Sequence, residues 1–168
     1  MWEFVSSKVV VTATVLILIA VAVGFFMNQR ETNYTYSEMN NVVNVIGNGV
    51  NDMLSIQADA NLTFTYDTKA LYGTHLPSMI NGKPFTLEFT KDQVVLRREN
   101  SAVSFKFAAK IHLWKWTILS PEPTKSDIYI QDTNHPSLTL NSGKDFIVET
   151  KRLLVDGEYQ YHTFLYPK

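Results

Sequence analysis

Three hydrophobic rhythms follow one another along the chain, and each predicts a different element. No charged residue lies between Lys8 and Arg30, and the run VVVTATVLILIAVAVGFFM, Val9 to Met27, is apolar on every helical face. At about 1.5 Å per residue this run spans roughly 28 Å, close to the hydrocarbon thickness of a bilayer. It predicts a transmembrane helix over residues 9–29, behind a short flank over residues 1–8. Val9, Leu16 and Phe25 mark its apolar surface, and Ala13, Ala20, Ala22 and Gly24 are small enough for close helix approach. Three fates fit the segment: a retained signal anchor, a secretory signal cut after Ala20-Val21-Ala22, or trimming ahead of the apolar run. The apolar residues continue past Ala22 through Val23, Phe25, Phe26 and Met27, so cutting there leaves a sticky end.

The second rhythm has helical spacing. Met39, Val42, Val43, Ile46, Val50, Met53 and Leu54 form one stripe, and Asn40, Asn41, Asn44, Asn48, Asn51 and Asp52 form the opposite face. An amphipathic helix over residues 30–58 follows, either continuous with the span or joined to it by a bend near Thr32 to Tyr36. Gly47 and Gly49 cost about 1 kcal/mol each in a helix interior. Two uses account for them and for the stripe: packing on the domain behind, with glycines admitting a close neighbour, or packing against copies in a filament.

The third rhythm has period two. Apolar positions alternate at Leu62, Phe64 and Tyr66, at Phe85, Leu87 and Phe89, and at Val103, Phe105 and Phe107. The alternation continues at His112, Trp114, Trp116 and Ile118, at Ile128 and Ile130, at Leu138 and Leu140, at Phe146 and Val148, and from Tyr159 to Tyr166. Turn signals stand at Asn81-Gly82, Lys91-Asp92, Glu99-Asn100, Asn141-Ser142-Gly143 and Asp156-Gly157. These features predict an antiparallel β-sandwich-like domain over residues 59–168, with Pro121 and Pro123 marking a crossing between sheets. The fold class is α+β.

Composition narrows the function. A net charge of −1 argues against a nucleic-acid partner. The absence of cysteine excludes disulfides, thiolate metal sites and cysteine nucleophiles. His75, His112, His135 and His162 show no metal-ligand spacing, and there is neither a G-x-S-x-G elbow nor a Gly-rich phosphate loop. The expectation is a non-enzyme without cofactor or metal. Arg97-Arg98, Lys106 and Lys110 are offset by Glu88, Asp92 and Glu99, which reads as a solvated face. Trp114 and Trp116, on one side of a strand, serve as core or as a ligand-facing aromatic pair. Asn33-Tyr34-Thr35 and Asn61-Leu62-Thr63 are glycosylation sequons, which favour an outward C-terminal domain.

The order of leader, apolar span, amphipathic helix and β domain resembles the pilin-like membrane proteins of archaea, relatives of type IV pilins and archaellum components. The resemblance is carried by VVVTATVLILIAVAVGFFM, by NNVVNVIGNGVNDML, and by LPSMINGKPFTLEFTKDQVVLRR with its Leu-Pro-x-x-Ile-x-Gly-x-x-aromatic hairpin. It implies a single-pass cell-surface protein with its C-terminal domain outside, a structural component of a surface appendage or of its envelope anchorage. Its partners are then membrane lipid and further copies or other pilin-like subunits. Ser6-Ser7-Lys8-Val9 lacks the Gly that usually precedes the apolar run in such precursors, and the acidic residue near its start is absent. The rival function is a membrane-anchored ligand- or glycan-binding module that uses Trp114 and Trp116 or the loops around His75 and His135.

Overall fold

The computed structural model describes the backbone of residues 2–67 and 73–168, and the side chains of residues 14–67 and 73–168. Helix α1 covers Trp2–Ser55. Eight strands follow: β1 (Ala60–Asp67), β2 (His75–Pro77), β3 (Thr86–Thr90), β4 (Gln93–Arg98), β5 (Ser101–Lys106), β6 (Ser137–Asn141), β7 (Phe146–Val155) and β8 (Glu158–Pro167). Helix α2 (Lys125–Asn134) precedes β6. By contacts the chain divides into two compact units, Met1–Ser37 and Glu38–Lys168, so the division falls inside α1.

Within the second unit the strands form two four-stranded sheets, β2-β1-β7-β8 and β5-β4-β3-β6. Every pairing is antiparallel except β1 with β2. Two-residue turns at Asn81-Gly82 and Asp156-Gly157 place both central residues at positive φ, which an Asn or Asp followed by Gly tolerates best. The first closes the hairpin motif around the Ile80–Lys83 bridge, and its apolar members Leu76, Ile80 and Phe85 are all buried.

The stripe on α1 completes the main core. Met39, Val42, Val43, Ile46, Val50 and Met53 are buried with Phe64, Phe89, Leu96 and Phe146 from both sheets, and Leu54 packs at the edge. The glycines account for the fit. A β-carbon at Gly47 would stand 2.1 Å from the Phe105 ring, and one at Gly49 would stand 2.7 Å from Phe64. Asn51 Oδ1 accepts the Ala108 N–H, Glu38 Oε2 accepts the Asn81 N–H, and Thr150 Oγ1 donates to the Met53 carbonyl at the helix end. The stripe therefore serves the domain behind it and leaves none of its buried members to a neighbouring copy.

Three expectations need correction. The Ile128–Ile130 stretch is helical: Thr124 and Asp127 form a capping box that nucleates α2, and two alternating residues are too few to specify a strand. The His112–Ile118 stretch is a loop ending in a 3₁₀ turn, Trp116–Ile118, tied to β8 by a single parallel bridge between His112 and Phe164. Pro121 and Pro123 do not mark a crossing between sheets. The chain leaves β5, runs over the outer face of β7 and β8, and returns through α2 to β6 in the same sheet it left.

We expect Gly47→Ala to cost about 1–3 kcal/mol through overpacking against Phe105, less the ~1 kcal/mol of helix propensity it restores. Gly24→Ala, where nothing lies within 4 Å, should be neutral or mildly stabilising. Denaturation midpoints of the two full-length variants check this.

Candidate functional site

The most unusual surface of the described residues lies in the first unit. Ten large apolar side chains from Val15 to Met27 are 49 to 68% exposed. They include five consecutive residues, Val15 to Ile19, so their exposure covers every direction around the helix at 100° per residue. Leu16, Ala20, Gly24 and Phe25 are all exposed; the side chains of Val9 and Ala13 lie outside the described residues. Phe25 and Phe26 meet edge to face at 6.3 Å. Soluble proteins rarely present so large a continuous apolar surface to water. Among the described residues this is the one helix long and apolar enough to cross a membrane. Both sequon asparagines are exposed, Asn33 on α1 and Asn61 on β1.

Trp114 and Trp116 serve the structure of the second unit. The loop 111–119 and α2 cover the outer face of β7 and β8, where Trp114, Ile128, Val155, Phe164 and Tyr166 form a second core. Trp114 is 3% exposed, meets Phe164 edge to face at 4.9 Å, and donates its Nε1–H to Asp132 at 2.9 Å. Trp116 donates to Glu149 at 3.1 Å and lies under the Lys151 ammonium at 5.4 Å. Glu149 also accepts from Tyr166 Oη at 2.5 Å, and burial together with that bond raises the Tyr166 phenol. Trp114 is thus buried in the second core, and the half-buried Trp116 is bonded to the protein through its N–H and one ring face.

A chain of polar groups runs through this second core. Asp132 Oδ1 accepts from His112 Nδ1 at 2.8 Å, and His112 Nε2 meets His162 Nδ1 at 3.0 Å. The other ring nitrogen of His162, Nε2, is buried and without a partner. Burial, and then the His112 charge, lower the His162 imidazole to about 4. Burial would raise Asp132, but hydrogen bonds from His112 and Trp114 with the charges of His112 and Lys91 outweigh it and hold the carboxyl below its usual range. The other two histidines are local. His75 opens β2 and bonds Thr65, and His135 caps α2 through the Gln131 carbonyl. No group of three His, Asp or Glu side chains could hold a metal among the described residues.

Sequence reasoning missed this chain because its members come from the 111–119 loop, α2 and β8. Nothing in their spacing links them; only the alternation of His162 with Phe164 and Tyr166 hints at a shared face. No protein-family model matches the chain, nor does any curated protein or solved structure.

Acid should loosen this core. His162 is harder to protonate folded than unfolded, so its contribution is intact above about pH 6.5 and is lost as pH falls towards about 4. Melting temperature measured across that window should fall with pH, and His162→Gln should flatten the slope while leaving the low-pH limit nearly unchanged.

Proposed function

We propose that the protein is a pilin-like, single-span surface protein, with α1 anchoring it in the cell membrane and the β domain outside. In this reading it is a structural component of a surface appendage or of its envelope anchorage. The observation that carries it is the ten apolar side chains exposed around α1 from Val15 to Met27. Lipid, or a bundle of equivalent helices, is the environment that removes such a surface from water. The amphipathic part of α1 is already spent on its own domain, which leaves the N-terminal apolar part as the surface for membrane or assembly contacts. The orientation rests on the two exposed sequons at Asn33 and Asn61. The rival reading, a ligand-binding module built on Trp114 and Trp116, loses that support because both indoles have partners inside the protein.

The absence of cysteine makes the orientation directly measurable. Lys106→Cys, on an exposed strand position, should react with a membrane-impermeant maleimide on intact cells. Reaction only after lysis would place the domain inside and overturn the orientation. A double substitution, Leu18→Arg with Val21→Arg, should release the chain from carbonate-washed membranes, since each charge costs about 2.5–3.5 kcal/mol at a span centre. The intact mass of the extracted protein then separates the two structural roles. A chain beginning at Met1 is a permanent anchor, and one beginning near Val9 with its apolar run retained is a filament subunit.

A further inference from the structure

Arg98 occupies a position where a strand normally carries an apolar residue. Along β4 the inward positions are Val94, Leu96 and Arg98, and all three are buried. Arg98 is only 6% exposed, and its Nε has no hydrogen-bond partner among the described residues. A guanidinium cannot shed its charge to relieve burial. A buried charge without a close counter-charge is costly, and an anion beside the unsatisfied Nε–H would offset that cost. Glu99 is next in the chain and feels the Arg98 charge, but its carboxylate is exposed and held by Lys83 at 2.6 Å. Arg97 points outward to Glu88. The solvated basic face expected from the sequence thus describes Arg97 and not Arg98.

Arg98 lines a cleft of about 390 Å³ together with Pro84, Arg97, Glu99, Asn141 and Ser142. Ser142 Oγ accepts the Phe85 N–H at 3.3 Å, which leaves its hydroxyl hydrogen free to donate into the cleft. The volume is in the range of small-ligand pockets and far exceeds one inorganic anion. Pro84 is exposed and supplies an apolar edge, while the Phe85 side chain is turned into the main core. Glu99, which also lines the cleft, is paired with Lys83 and disfavours a dianion more than a single negative charge.

We infer that this cleft binds a monocarboxylate, an acidic sugar or small organic acid, with its carboxylate on the Arg98 guanidinium and Ser142 hydroxyl and its body against Pro84. An arginine fork matches a carboxylate in geometry as well as charge. The site lies wholly within the second unit and does not depend on how α1 meets a membrane.

The test uses the full chain in detergent micelles with three probes: glucuronate, acetate and inorganic phosphate. Glucuronate should shift the Arg98 Nε–H resonance saturably at millimolar concentration and bind at least about tenfold more tightly than phosphate. Acetate should move the same resonance with weaker affinity, because it lacks a body to contact Pro84. Arg98→Met should abolish glucuronate binding. If that variant does not fold, Arg98→Lys keeps a charge in place and should weaken binding about tenfold, since it lacks the fork. No shift with glucuronate, tighter binding of phosphate, or unchanged affinity in the folded Arg98 variant would overturn the assignment.

Discussion

The ring of Phe105 lies where a side chain at Gly47 would begin, and Phe64 with Leu62 crowds the same space at Gly49. This close approach lets the C-terminal part of α1 enter the sandwich far enough to bring Met39, Val42, Val43, Ile46 and Val50 to 1% exposure or less. The two glycines weaken the helix by about 1 kcal/mol each. Burying each aliphatic side chain of the stripe contributes about 1.5–3 kcal/mol as an upper bound, so the packed arrangement wins. Polar contacts then fix the helix in place, with Asn51 and Glu38 accepting backbone N–H groups and Thr150 closing the last turn at Met53.

Seating the helix there has a consequence for the sheet β2-β1-β7-β8. Its inner face is taken by the main core through Phe64, Phe146, Val148 and Leu165. Its outer face carries Ile147, Leu153, Phe164 and Tyr166, which also need cover. The loop 111–119 and α2 supply it. The capped start of α2 and the Asp132–His112–His162 chain hold that cover down with directional bonds as well as apolar burial. The indoles of Trp114 and Trp116 each keep a polar atom within the protein, so the second core buries polar groups with partners at most positions. His162 Nε2 is the exception, and it makes this layer sensitive to acid.

Much of the architecture was legible because it rests on local periodicity. The Met39–Leu54 stripe, the alternation at Phe85–Phe89 and Val103–Phe107, and the Asn-Gly and Asp-Gly turns each carry their instruction within a few residues. Where the alternation was brief, or the chain had to bend to meet a distant face, it failed. Ile128 and Ile130 alternate, but the capping box of Thr124 and Asp127 acts first and winds a helix. His112 to Ile118 alternate as well, yet the loop must bend to lay Trp114 over Phe164, and only one bridge to β8 forms. Arg98 looked like one of a dispersed basic set. The pleat of β4 turned it inward while Arg97 faced solvent, a difference of one residue that composition does not register.

The sequence by itself determined the α+β class, a helix apolar enough to cross a membrane, and the stripe that buries against a β domain. Each of these follows from side-chain chemistry repeated at a fixed spacing. Only the tertiary structure decided which partner the stripe meets, that Trp114 and Trp116 each bond within the protein, that three distant residues form one polar chain, and that Arg98 is buried with its Nε unsatisfied. Those outcomes depend on which faces of distant segments come together, and no pattern within one segment encodes the face of another.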